Sequence, residues 1–120
     1  MLMGNNGTYI CYAFSPVQGY SKFGTYTANG VDDGSFVHLG FRPSFVMLKN
    51  TSNNTNGGNW VMMDDTRLGD DVGAINPILS HITANTNAAE FDSASYPQAD
   101  FLSNGFKLRL GGTGSGVARN

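Results

Sequence analysis

The sequence predicts an all-β domain, an antiparallel β-sandwich of jelly-roll or lectin-like type with about seven or eight short strands. Three observations carry that prediction. First, 16 Gly, 13 Asn, 10 Ser and 9 Thr make up 48 of the 120 residues, and these types favour turns and strands over helix. Second, short apolar runs recur between clusters of turn residues, at the spacing of a two-sheet β protein. Third, eight Phe, five Tyr and one Trp supply enough burial for a packed core, which a solvated linker lacks. At 120 residues the chain is one domain, with no room for a second core.

The strands are read in order. Residues 8–14 are aromatic and β-branched and follow the turn-forming Asn5-Asn6-Gly7. Tyr9, Cys11 and Ala13 fall on one face, Ile10, Tyr12 and Phe14 on the other, and both faces are apolar. Such a strand is either central and covered on both sides, or one face meets another chain. Residues 22–27 form the next run, after Ser15-Pro16-Val17-Gln18-Gly19. Residues 35–39 lie between Asp33-Gly34 and Gly40, and 45–49 follow Pro43, which belongs before a strand and not within a central one. Residues 51–59 are drawn only from Thr, Ser, Asn and Gly and read as a polar loop, after which 60–64 resume the apolar pattern. A single helical turn is expected across 75–82, after Pro77.

The sharpest local signal is a hairpin whose arms, 100–103 and 106–110, flank Asn104-Gly105. That dipeptide supplies the two positive-φ residues of a type I′ turn. In its second arm Phe106, Leu108 and Leu110 point one way while Lys107 and Arg109 point the other. Residues 1–7 and 111–120, the latter opening on the glycine-rich stretch 111–116, are expected to be flexible ends.

Charge and composition narrow the function. A net charge of −2 with seven basic residues provides no electrostatic footprint for nucleic acid. No apolar run reaches the ~18 residues that span a bilayer, so no membrane insertion is expected. Cys11 is the only cysteine, which excludes an internal disulfide, and a small buried side chain is its ordinary role. No cofactor is predicted: stretch 111–116 fits neither the dinucleotide fingerprint nor the phosphate-cradling loop with its lysine.

The acidic residues point to no catalytic centre. Glycoside hydrolysis needs two carboxylates converging on one bond, roughly 5 to 10 Å apart. The doublets Asp32-Asp33, Asp64-Asp65 and Asp70-Asp71 cannot supply that pair alone, because neighbours in a strand face opposite ways. Glu90 is the only glutamate and has no partner marked by spacing. Asp64, Asp65, Asp70 and Asp71 are hard oxygen ligands of the kind that hold calcium. They lack the EF-hand spacing, and Asp belongs in turns for its own hydrogen-bonding reasons, so no metal is predicted.

A binding surface is the stronger candidate. Trp60, Tyr20, Tyr26 and Tyr96 offer rings that stack on the apolar face of a sugar, and the Asn-rich loop offers orienting amides. The ordinary alternative is core packing for Trp60 and turn chemistry for the asparagines. Asp64 and Arg67 sit three apart after Trp60; they either close a turn as an ion pair or place Arg67 as a ligand contact beside the tryptophan. The candidate ligand-binding residues are therefore Trp60, Asp64, Arg67, Tyr20 and Tyr26.

A longer pattern also stands out. Residues 12–30, beginning Tyr12-Ala13-Phe14-Ser15-Pro16, lead into Asp33-Gly34-Ser35-Phe36-Val37 and then Gly40-Phe41-Arg42-Pro43-Ser44-Phe45-Val46-Met47-Leu48-Lys49. Trp60, Asp64, Arg67 and the run from Asp100 to Arg109 complete it. This pattern resembles an uncharacterised domain of large virion proteins of marine bacteriophages, typically labelled tail-fibre or tail structural proteins. The resemblance implies a β-sandwich module of a virion tail or appendage, related to lectin-like sandwiches and non-catalytic. Its implied partners are host-surface glycans and other virion chains, with a homotrimer in the parent protein. It carries over no functional residue. The family pattern continues past its glycine-rich loop into a last strand of Thr-Tyr-Ile-Tyr-x-Ala-Phe-Ala type, which this chain lacks. The expectation is a fragment of a longer repetitive protein, short of a terminal strand, in which Gly7-Thr8-Tyr9-Ile10 looks like that strand left by a preceding repeat. Two alternatives stay open: a polysaccharide-degrading tailspike-type domain, and a purely architectural virion domain.

Overall fold

Alternation of apolar and charged side chains in Phe106-Lys107-Leu108-Arg109 gives a strand with one dry and one wet face. In the computed structural model, which describes residues 7–51, 58–67, 76–92, 95 and 97–109, Phe106 and Leu108 are buried and Lys107 and Arg109 lie partly in solvent. Six strands are present among the described residues: β1 (Asp33–His38), β2 (Phe45–Lys49), β3 (Trp60–Asp64), β4 (Ile82–Thr83), β5 (Ala99–Leu102) and β6 (Gly105–Arg109). They form two antiparallel three-stranded sheets, ordered β1-β6-β5 and β2-β3-β4. There is no helix among the described residues.

The two sheets share one core, so the arrangement is a small β-sandwich. Val46, Val61 and Met63 enter it from one sheet, and Ala99, Phe101, Phe106 and Leu108 from the other. Ile78 joins from the connection between β3 and β4, and Tyr26, Val37, Leu39 and Leu48 pack against the edge of the cluster.

The hairpin forms where expected, but its corner is one residue earlier. Leu102 pairs with Gly105, leaving Ser103 and Asn104 as the turn and making Gly105 the first residue of β6. Gly105 is needed for proximity, not for a left-handed φ. A Cβ there would lie 2.1 Å from the Val37 carbonyl oxygen, because Gly105 pairs with His38 at the end of β1. The Asn104 carbonyl accepts hydrogen bonds from the amides of Leu39 and Gly40 at 2.9 and 3.0 Å. Gly40 itself is left-handed, at φ 88°.

Three other expectations are corrected. Residues 8–14 and 22–27 belong to neither sheet, which is why six strands appear and not seven or eight. Residues 22–27 run beside β1 but are fixed by side chains: Lys22 Nζ donates to the His38 carbonyl (2.8 Å) and Ser35 Oγ to the Thr27 carbonyl (2.8 Å). Cys11 is exposed, since the run that holds it has no second layer against it. The helical turn across 75–82 is absent from its described part. Ile78 instead bridges Ala99 and His81 bridges Phe91. The Asn76 amide stands in for a strand by accepting from the Phe101 N–H (2.7 Å) and donating to the Phe101 carbonyl (2.9 Å). The glycine-rich stretch 111–116 and the place of a closing strand lie outside the described residues.

Candidate functional site

Pairing between β2 and β3 decides which side chains reach the surface. Phe45 faces Asp64, Met47 faces Met62, and Lys49 faces Trp60, while Val46, Val61 and Met63 turn inward. Phe45, Met47, Trp60 and Met62 therefore share the outer face of the sheet, continued by Ile82, which pairs with Met62. That face is apolar at its centre. Phe45 is 57% exposed, and Met47 and Trp60 are each 43% exposed. The outer face of the other sheet is charged: Arg109 Nε donates to Asp100 Oδ2 at 2.7 Å, and Lys107 pairs with Asp33.

Trp60 stands at one end of this face with polar groups around it. Lys49 Nζ lies over its ring, 5.8 Å from the centroid, within reach of a cation–π contact. The Trp60 amide donates to Asn85 Oδ1 (2.8 Å), and Asn85 Nδ2 donates to Asn59 Oδ1 (2.9 Å). Two linked carboxamides thus sit against the backbone of Trp60, a residue that is itself half-exposed. Four residues along the strand, about 13 Å away, Asp64 closes the turn that follows. Asp64 Oδ1 accepts from the Thr66 amide (3.1 Å), the Thr66 hydroxyl (2.7 Å) and the Arg67 amide (2.8 Å). Arg67 Nε lies 3.3 Å from Asp64 Oδ2, and its Nη1 lies 2.7 Å from Glu90 Oε2.

A family model described as "Domain of unknown function (DUF7483)" matches residues 2–118. The chain belongs to the DUF7483 family. No curated protein and no solved structure matches it.

In this DUF7483 domain the acidic doublet Asp64-Asp65 splits as strand geometry requires, each carboxylate taking its own arginine. Asp65 Oδ2 accepts from Arg42 Nη1 (2.7 Å) and Ser44 Oγ (3.2 Å). Burial alone would raise the Asp64 pKa. The Thr66 hydroxyl, the Arg67 and Thr66 amides and the Arg67 guanidinium outweigh it and hold the carboxyl below its ordinary 3.8. Among the described residues no three His, Cys, Asp or Glu side chains gather as metal ligands would.

The other candidates lie apart from Trp60. Tyr20 is 81% exposed in the turn closed by Val17 and Ser21. Tyr26 packs against the core, and that burial raises its phenol pKa. Tyr96, Asp70 and Asp71 lie outside the described residues, as does most of the Asn-rich loop. Asn85 and Lys49 escaped the reading of the sequence. Asn85 sits in Thr83-Ala84-Asn85-Thr86, an ordinary turn composition, and only the pairing of Val61 with Thr83 brings it to Trp60.

Proposed function

We propose that this DUF7483 domain is a non-catalytic adhesive module of a phage tail-fibre-like virion protein, and that it holds host-surface glycans on the outer face of the β2-β3-β4 sheet. One observation supports the adhesive part: Trp60 is half-exposed, and the coupled side-chain amides of Asn59 and Asn85 are tied to its backbone N–H. A flat ring stacks on the C–H face of a pyranose, and neighbouring carboxamides select its hydroxyls. The virion setting rests on the run from Tyr12 to Gly30 and on the later elements that resemble phage tail proteins. Other virion chains, and a trimer of the parent protein, are the partners this reading calls for.

Trp60 is the only tryptophan of the chain, so its emission reports directly on the site. Titration with host-derived polysaccharides should shift that emission saturably. Asn85→Ala, which keeps the fluorophore, should weaken binding about tenfold, or 1.4 kcal/mol. No shift with any host polysaccharide leaves the purely architectural reading in its place.

A second reading has one observation in its favour: Asp64 and Glu90 converge on Arg67. A polysaccharide-degrading domain needs one carboxyl kept protonated as general acid, and the Arg67 guanidinium and turn amides act on Asp64 in the opposite direction. Release of reducing ends from a bound polysaccharide, abolished by Glu90→Gln, would establish that reading over the adhesive one.

A further inference from the structure

Most basic side chains among the described residues are already matched. Arg42, Arg67, Lys107 and Arg109 each pair with a carboxylate. Lys22 donates to the His38 carbonyl at 2.8 Å and ties the outer side of β1. Lys49 is different. It is exposed at the end of β2, and among the described residues no carboxylate pairs with it. One of its N–H donors goes to the Gly58 carbonyl. An ammonium has three, so two are left for another partner.

Strand pairing puts that ammonium on the face already described. Lys49 is the register partner of Trp60, and residues directly opposite in an antiparallel pair hold their Cβ atoms about 5 Å apart. Phe45, Met47 and Lys49 alternate with the inward-turned Val46 and Leu48, so Lys49 shares the outer face with Trp60. Its Nζ lies over the indole, 5.8 Å from the centroid. The other charged strand residue on this face, Asp64, stands at the far end of β3 and is paired with Arg67. The Trp60 end is therefore locally positive on a chain whose net charge is −2. An anion held there is drawn by this one place and not by the charge of the whole molecule.

We infer that the glycan held at Trp60 is anionic, a polysaccharide with a carboxylate or sulfate on the sugar that meets the ring, and that Lys49 selects it. This rests on the glycan reading above and narrows it to a ligand class. The selection is a competition for the ring. Lys49 holds the indole through a cation–π contact, and a neutral sugar stacking on that face displaces the ammonium with nothing in return. An acidic sugar gives the displaced ammonium a new partner, so the lysine exchanges the ring for an ion pair. Asn59 and Asn85, linked to each other and to the Trp60 amide, are neutral and treat charged and uncharged sugars alike. Lysine is a compact point charge, not a planar fork, so carboxylate and sulfate present it with one chemistry.

Two matched pairs of polymers test it through the Trp60 emission of the full chain: polygalacturonate against its fully methyl-esterified form, and dextran sulfate against dextran. The native chain should bind the charged member of at least one pair about fivefold more tightly, the upper range for an exposed ion pair. That preference should shrink as salt rises, and the pair that shows it separates carboxylate from sulfate. Lys49→Gln should abolish the preference while the neutral member still binds, and Lys49→Arg should keep it. Lys22→Gln, which removes the same charge elsewhere, should leave it unchanged. Equal binding within both pairs, a preference that survives Lys49→Gln, or one that Lys22→Gln lowers as much, would overturn charge selection and leave the adhesive reading in place. If none of the four moves the emission while an uncharged host polysaccharide does, the selection again fails alone. Silence with every polymer overturns both.

Discussion

Gly105 shows how one residue can be read correctly for its place and wrongly for its reason. Asn-Gly marks the hairpin, yet the glycine serves to let β1 and β6 approach, its missing Cβ leaving room for the Val37 carbonyl. Sequence pattern carries turn chemistry between neighbours, whereas this constraint comes from a strand some seventy positions earlier in the chain. Gly105→Ala should therefore destabilise the domain by about 3 kcal/mol, a penalty of overpacking against backbone, measured as a fall in the urea midpoint at unchanged slope. Trp60 follows the same logic. Trp60-Val61-Met62-Met63 is apolar throughout, so only the observed burial of Val61 and Met63 shows that the indole faces outward.

At the scale of elements, β2 and β3 lie where their apolar runs and flanking Pro43 and polar loop place them, and the hairpin strands are found with the bounds of β5 and β6 displaced by a residue or so. These elements were legible because local alternation and local turns specify them. Residues 8–14 have strand composition yet join neither sheet, since composition sets what a segment suits and not what lies beside it. The connection before β4 was the opposite case. Pro77 suggested a helical turn, but the buried Ile78 and Leu79 and the Asn76 amide hold it extended. Asn76 acts as one rung of a ladder made from a side chain. Asn76→Ala strands the N–H and C=O of the buried Phe101 and should cost about 2 kcal/mol. Asn76→Asp keeps the acceptor for the Phe101 amide and should lose about half as much, as equilibrium unfolding can measure.

For the molecule as a whole, acid stability should fall in two separate windows. His81 is 4% exposed, stacks on Phe91 at 4.8 Å, and has no hydrogen-bond partner for Nδ1 among the described residues. Burial lowers its pKa from the ordinary 6.5, so the unfolded chain takes up a proton more readily than the folded one. The stability that depends on a neutral His81 is complete above pH 6.5 and is lost as pH falls from there toward the lowered value. Asp33, which Lys107 holds down by a hydrogen bond, and Asp64 have pKa values below 3.8. Their contribution persists until pH drops under that figure. His81→Phe keeps the stacked ring and should flatten the unfolding free energy between pH 7.5 and 5.5 while leaving the acid limb below 3.8 in place. The two broad surfaces divide along similar lines. The β1-β6-β5 face is laced by ion pairs, and the β2-β3-β4 face is bare and aromatic, a contrast no count of residue types reveals.

The hairpin corner has one more implication. Such corners usually tolerate added length, because nothing else hangs from them. Here the oxygen that receives both Leu39 and Gly40 belongs to Asn104, so the corner also latches the bend leading from β1 toward β2. Lengthening it by even one residue would unfasten a connection between the two halves of the sandwich. Variation in loop length is better absorbed in the exposed stretch 87–89, after the Thr83–Thr86 turn.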